Sequence, residues 1–494
     1  RQMCIRDRGA LGATCYDKAI ERMMLQLKSF GYNCIRCSHN PYSDSFARIA
    51  DRVGMLVVDE LTDKWSDNDY WGGRQPFTHI WHKLITEWIK RDRNRPSIIL
   101  WSLGNELQIR EGWAGFEGTN DWGITTYNIF NQLVKRWDHT RLTTVAMFPA
   151  RAGAITRHDK EFNDYLVPPE LACATEVASF NYQSDKYDAY LKYRPDLILF
   201  QSEAETSNLL QPYYNMDRKR TVGMAYWGSA EYWGESNKWP KKGWNYSFFD
   251  HTMRPYPQAY LIKSAFMPEI PEVHIGVVDA AGAESVSWND VIVGRMALNE
   301  CWNHTPGSRR SLFTFTNAHS VELLVNGQSM GIQENDTTRA NLRNMIYWKD
   351  VPYGNGGSVV AIARDKSGKE VARHRIETAG KAVALRIEAE TPTDWKADGM
   401  DLQYINVTVI DKKGRPVWDY NEPLTLQMEG AARLVALDNG DHYTDELFHG
   451  ITSKRMYQGR MQIILRSDQE AGNVTVKISS AGLKGTLRLK TIKE

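Results

Sequence analysis

No stretch of this 494-residue sequence is apolar over the ~20 residues a helix needs to cross a bilayer, which leaves no transmembrane helix to propose. Cysteine is scarce. Its six copies (Cys4, Cys15, Cys34, Cys37, Cys173, Cys301) are scattered and set out no disulfide framework. Cys34 and Cys37 have CxxC spacing, but they fall within a predicted strand, where positions three apart face opposite sides, and that argues against a shared metal or redox pair. Excess charge is lacking too. With 24% charged residues and a net charge of +1, nothing electrostatic favours nucleic acid or an anionic membrane as partner. No internal repeat and no low-complexity tract occurs. No signal peptide is recognisable either, but the opening RQMCIRDR reads as a non-native leader, so that absence says nothing about compartment.

What is present is length and aromatic weight. The chain is long enough for about three domains and a large buried core. Its 17 Trp and 23 Tyr suit sugar-stacking surfaces and large cores alike. One stretch organises the rest, Arg91 to Glu106, RDRNRPSIILWSLGNE. Pro96 halts the preceding helix, and the apolar run Ile98 to Leu103 has no polar face, as expected of a strand buried on both sides in a parallel sheet. Asn105 and Glu106 then stand at its carboxyl end, the end at which (β/α) barrels carry their chemistry.

The surrounding segments alternate in the same way. Asp17 to Phe30 has helical apolar spacing, with Asp17 as cap and Gly31 as stop. A helix from about Ser43 to Arg52 ends at Gly54, and another lies near His79 to Arg93. Strands beginning at Asn33, Leu56, Ile98, Arg141, Val177, Leu197 and Thr221 make seven over about 250 residues, which suggests a (β/α)8 TIM barrel whose first strand is missing. Beyond Pro268 strands alternate strictly and turns multiply. Asn326-Gly327 after VELLV is a type I′ hairpin signal, Lys412-Lys413-Gly414 follows the alternating Ile405, Val407 and Val409, and Val474, Val476 and Ile478 alternate near the end. The expected organisation is a barrel over residues 1–268, with 1–8 non-native, and two immunoglobulin-like β-sandwiches over 269–380 and 381–494.

The partner for Glu106 should also end a barrel strand, and LILFQSE supplies Glu203. With the missing strand counted, these two close the fourth and seventh strands. Carboxyl groups about 5 Å apart at such positions suit a retaining glycosidase, one as nucleophile and one as acid/base. Glu205 competes with Glu203, because the two share parity and strand alternation does not separate them.

Several segments, IRCSHNPYS, LVVDE, RDRNRPSIILWSLGNE, MAYWGSAEYWGE with WPKKGW, LLVNGQSMG and ALDNGD, together resemble glycoside hydrolase family 2, the group of β-galactosidases, β-glucuronidases and β-mannosidases. The resemblance covers nearly the whole chain after the leader. It implies that Glu106 is the acid/base and Glu203, the Glu directly after Ser, the nucleophile. It also implies that Asn105 bonds the sugar 2-hydroxyl, that Tyr182 holds the nucleophile's oxygen, and that Arg36 lies beneath it and keeps it ionised. His39 would bind a sugar hydroxyl and Trp227 would floor the sugar ring. Each has a plainer alternative. Arg36 could pair with another barrel acid, His39 could be a satisfied turn residue, and Tyr182 and Trp227 could be core.

The chain also departs from the family pattern. Glu231 stands where the family usually has Asp. A uronate-clamping Asn-x-Lys is replaced by Pro240-Lys241-Lys242, with Asn237 and Lys238 nearby. The N-terminal domains and first barrel strand found in family members are absent, so the chain alone is expected to be unstable or inactive. The function implied is an exo-acting retaining β-glycosidase, first a β-galactosidase, with β-glucuronidase, β-mannosidase or a non-catalytic carbohydrate-binding protein as alternatives. A glycoside or oligosaccharide is the implied partner, with no cofactor and no metal. An oligomer is compatible with the sequence. The resemblance to polysaccharide-degrading bacterial enzymes points to the periplasm or the exterior.

Overall fold

The computed structural model describes residues 9–12, 16–65, 76–110, 113–114, 123–147, 167–207, 209–236, 238–279, 284–288 and 291–493. The leader at 1–8, Cys4, Cys15, Trp71 and Asn237 lie outside them. The chain forms two compact units. One is built on Tyr32–Trp227 with Ser287–Val293, and the other on Gly228–Val286 and Gly294–Glu494 with the segment up to Gly31.

The first unit is a parallel sheet of seven strands in sequence order: β1 (Cys34–Arg36), β2 (Leu56–Glu60), β3 (Ile98–Asn105), β4 (Leu142–Met147), β5 (Val177–Asn181), β6 (Leu199–Ala204) and β7 (Thr221–Tyr226). Each begins within two residues of its sequence expectation. This is the (β/α) barrel with seven strands, and no ladder joins β1 to β7 among the described residues. One inner face can be followed by period two. Val58, Leu100, Val177 and Phe200 form a buried cluster against Cys34 and Ala225. Two residues further along the same face come Arg36, Glu60, Ser102 and Ser202, and four past Val177 comes Asn181. An apolar floor thus supports a polar layer at the carboxyl ends.

Local signals account for the flanking helices. Ahead of α2 (Asp44–Val53), Ser43 Oγ accepts the Phe46 amide at 3.2 Å, and Gly54 takes the left-handed φ of 68° that ends it. The third helix runs Phe77–Asp92, and Arg95 and Pro96 part it from β3. Among the described residues no helix is long and apolar enough to cross a membrane.

The second unit holds α1 (Asp17–Ser29) and two four-stranded pairs of sheets. Asp17 is the first helical residue and not the cap: Tyr16 holds that position without a side-chain bond. Gly31, at φ 85°, does stop the helix. The first sandwich spans strands from Val273 to Glu377. Inward positions of both its sheets (Ile275, Val277, Val321, Leu323, Val359, Ala361) share one core with Trp302. Asn326 and Gly327 both have positive φ, 52° and 83°, between the paired Val325 and Gln328, which is the type I′ hairpin read from the sequence. The second sandwich, from Ala384 to Lys490, buries Ile405, Val407 and Val409 against Val474, Val476 and Ile478 around Trp395.

Candidate active site

The carboxyl ends of five barrel strands bring together Arg36, Glu60, Asn105 with Glu106, Asn181 with Tyr182, and Glu203. Arg36 is the hub. Its Nη1 donates to Glu203 Oε1 at 2.7 Å, its Nη2 to Glu60 Oε2 at 2.7 Å and to Asn105 Oδ1 at 2.9 Å, and its Nε to Glu60 Oε2 at 3.0 Å. Arg36 therefore pairs both with a barrel acid, Glu60, and with Glu203. Burial works against its charge, but Glu60 and Glu203 outweigh it and raise the guanidinium above its ordinary pKa.

Glu203 is buried. Its second oxygen, Oε2, accepts the Tyr182 phenol at 2.7 Å. Two register shifts explain its aim. β5 pairs Phe180 with Gln201 but Asn181 with Glu203, so one extra residue is accommodated on β6, and β6 shifts again against β7. Such bulges re-aim side chains. As a result Ser202, whose Oγ donates to Asn181 Oδ1 at 2.7 Å, and its neighbour Glu203 both serve the same network, which strict alternation forbids. Glu205 is buried one residue past the strand, where its charge acts on the Tyr226 phenol.

Glu106 follows β3 in the left-handed region at φ 49°, and Tyr182 follows β5 at φ 60°. Side-chain-bearing residues held there cost about 1–3 kcal/mol each and cluster at functional sites. Asn181 Nδ2 donates to Glu106 Oε1 at 3.2 Å and to Asn105 Oδ1 at 3.0 Å. Burial first, then the nearby charge of Glu203, pushes the Glu106 carboxyl up to about 7. Glu106 and Glu203 thus sense each other electrostatically in one enclosure.

The Asn105 amide is fixed on both sides, because its Nδ2 faces Asp63 Oδ1 at 3.1 Å and His39 Nε2 at 3.3 Å. Just before it, a Cβ on Gly104 would lie 2.7 Å from Trp65 Nε1, which donates to Leu103 O at 2.7 Å, so the strand end approaches Trp65 too closely for any other residue. His39 Nδ1 lies 2.6 Å from Glu60 Oε1. Burial lowers the affinity of His39 for its proton, but the bond to Glu60 and its charge prevail and raise it. The His39 ring stacks on Trp227, with centroids 5.5 Å apart and planes within 6°.

All seven residues singled out from the sequence lie in the first unit, and these contacts join six of them through hydrogen bonds, with Trp227 joined by stacking. Sequence reasoning missed Glu60, Asp63, Lys64, Asn181 and Ser202. Lys64 donates to Asp63 Oδ1 at 2.7 Å and to Asn105 O at 2.9 Å. Cys34 and Cys37 are not joined in a disulfide. Groupings able to hold a metal occur, among the described residues, at Glu231, His251 and His442 and at His274, Glu300 and His374, all in the second unit.

Comparison with known proteins bears on this arrangement. Residues 10–219 match the family model "Glycosyl hydrolases family 2, TIM barrel domain", residues 385–487 match "Glycoside hydrolase family 2 C-terminal domain 5", and residues 307–372 match a domain of unknown function, DUF4982. The chain is 26% identical to the β-galactosidase BoGH2A of Bacteroides ovatus, over 97% of this chain and 59% of that protein. It is 25% identical to a putative β-glucuronidase of Formosa agariphila, over 97% and 47%. The crystal structure of a glycosyl hydrolase family 2 member from Bacteroides cellulosilyticus superposes with a TM-score of 0.81 at 27% identity, over 99% of this chain and 61% of that one. The chain spans from about half to three-fifths of the length of these relatives.

Proposed function

Because the chain belongs to glycoside hydrolase family 2, we propose that it forms the catalytic part of a retaining exo-β-glycosidase, a β-galactosidase in its preference. The observation that carries this reading is the contrast between two carboxyl groups in one enclosure. Glu203 is gripped by Arg36 and Tyr182, and Glu106 has its pKa raised to about 7. Unlike environments of this kind separate a nucleophile from a general acid.

In the first step a carboxylate oxygen of Glu203 attacks the anomeric carbon. The glycosidic bond breaks as Glu106 gives its proton to the leaving oxygen. In the second step Glu106, now ionised, takes a proton from water as the water oxygen displaces Glu203 and frees the sugar. Asn105, oriented by Arg36, Asn181 and Asp63, bonds the 2-hydroxyl. His39, oriented by Glu60, bonds another hydroxyl, and Trp227 carries the ring. The barrel domain of 1–268 and the two sandwiches of 269–380 and 381–494 belong to the same proposal, as does a glycoside or oligosaccharide substrate.

Among family alternatives, a uronate preference finds little support in the Pro240-Lys241-Lys242 segment. Lys241 is buried, and its ammonium donates to the Tyr246 phenol at 3.0 Å. The deciding experiment uses protein expressed from the complete gene with a panel of nitrophenyl β-glycosides. Turnover of the galactoside above the glucuronide and mannoside is expected, and loss of turnover in Glu203→Ala. Near-normal activity of that variant refutes the mechanism, and preferred cleavage of another sugar refutes the galactosidase assignment alone.

A further inference from the structure

We propose that Glu231, His251 and His442 form a binding site for one divalent transition-metal ion with the ligand preferences of zinc. Glu231 occupies a departure from the family pattern already noted in the sequence, and its surroundings in the second unit explain the carboxylate better than contact with a sugar does. All three side chains are buried, and they come from separate loops. Their ligand atoms lie within 4.8 Å of one another.

The spacing is informative. Glu231 Oε2 lies 3.2 Å from His251 Nδ1 and 3.2 Å from His442 Nδ1. Charge-assisted hydrogen bonds are typically about 2.7–2.9 Å long, so both contacts are long for that role. A tetrahedral site with bonds of about 2.0–2.1 Å has edges of about 3.3–3.4 Å, close to both.

The outer contacts match a ligand set as well. The far nitrogen of His251, Nε2, faces Asp438 Oδ1 at 2.9 Å, the carboxylate partner that orients metal-bound imidazoles. Asp438 is itself held by the Gly440 amide at 3.0 Å. The oxygen of Glu231 turned away from the imidazoles, Oε1, accepts the Tyr256 phenol at 2.7 Å and Arg295 Nη1 at 3.1 Å. Among the described residues His442 Nε2 has no hydrogen-bond partner, so with Nδ1 on the ion its N–H would donate its outer bond to a water in the neighbouring cavity rather than to a carboxylate. A cavity of about 120 Å³ bordered by Glu231, His442, Asn245 and Asp441 gives room for a water as fourth ligand.

The grouping of His274, Glu300 and His374 does not qualify. His374 Nδ1 accepts the Ile275 amide at 3.1 Å, which places the ring's one proton on Nε2 and leaves no lone pair for an ion.

The test uses protein from the complete gene, stripped with EDTA and dialysed. Titration with Co²⁺ should produce the intense visible bands of a tetrahedral ion at one equivalent per chain, and Zn²⁺ should bleach them. His442→Gln, close in volume, should weaken Co²⁺ binding more than about 100-fold, and Asp438→Asn by about 10- to 100-fold. Zn²⁺ should raise the melting temperature of the wild-type protein, and Mg²⁺ should not. That comparison needs no variant to fold. Absence of the bands and of the Zn²⁺ shift in the wild-type protein, or equal Co²⁺ binding by wild type and a folded His442→Gln, overturns the proposal.

Discussion

Tyr182 Oη stands 2.7 Å from Glu203 Oε2, while Arg36 holds Oε1, so the two oxygens of one carboxylate are held by two different donors. This fixes the plane of the carboxylate. In the proposed mechanism that plane sets the line of attack on the anomeric carbon. A hydrogen bond to a charged group is worth about 1.5–3 kcal/mol, or about 10- to 100-fold in rate. Tyr182→Phe should therefore lower the melting temperature, because it leaves one buried oxygen of Glu203 without this donor, and should lower kcat by about that factor by misaligning the carboxylate. Unchanged kcat with a nitrophenyl galactoside removes Tyr182 from the mechanism.

Arg36 carries more. Its guanidinium neutralises two buried carboxylates, Glu60 and Glu203, and orients Asn105. Arg36→Met should destabilise the fold by about 3–5 kcal/mol, because it leaves buried charge unpaired. It should also lower kcat, since in the proposed mechanism Arg36 holds one oxygen of Glu203 at 2.7 Å and orients Asn105. Denaturant melts and kcat measured on the folded variant with a nitrophenyl galactoside check the two effects separately. A melt like that of the wild-type protein refutes the first.

The barrel was legible because its strands are short apolar runs between Gly and Pro, and the sandwiches because alternation and Asn-Gly are local signals. Strand β3 and its Glu106 followed from the same logic. The network around them was only partly legible. Glu60 shares a face with Val58 and could have been found by parity, but Lys64 comes from an aperiodic loop that gives no such signal. The grouping of α1 with the second unit rests on contacts distant in sequence, to which helical periodicity is blind.

Parity also failed at Glu203 and Glu205, because the register shifts on β6 break it there. The contacts separate the two. Glu203 has Arg36 and Tyr182, and Glu205 has the neighbourhood of Tyr226. Glu203→Gln should abolish hydrolysis, while Glu205→Gln should retain at least about a tenth of wild-type kcat, a loss no larger than one neutral hydrogen bond explains. Equal losses in the two variants would leave the nucleophile assignment without support.

Gly104 sets a steric prediction. A methyl at that position meets Trp65 Nε1 at 2.7 Å, and the Trp is itself anchored to Leu103 O. Gly104→Ala should cost about 1–3 kcal/mol of stability, as overpacking does. Because Asn105 and Glu106 follow directly, it should lower kcat further than the stability loss accounts for. A variant with wild-type kcat places the strand end further from Trp65 than described.

The pH behaviour of Glu106 can be tested without a substrate. Its folded-state pKa of about 7 lies above the ordinary glutamate value of 4.5. The folded protein therefore holds this proton more tightly than the unfolded chain does. The stability it contributes is whole below the ordinary value and is lost as pH rises through about 7. Glu106→Gln cannot ionise, so its melting temperature relative to wild type should rise between about pH 4 and pH 8. In the proposed mechanism the same titration removes the general acid, so wild-type kcat/KM should fall above about pH 7. With a dinitrophenyl leaving group, which needs little protonation, the Gln variant should keep far more of the first step than with a poor leaving group. A stability difference between variant and wild type that stays flat with pH would show that Glu106 ionises in the fold as freely as it does in water.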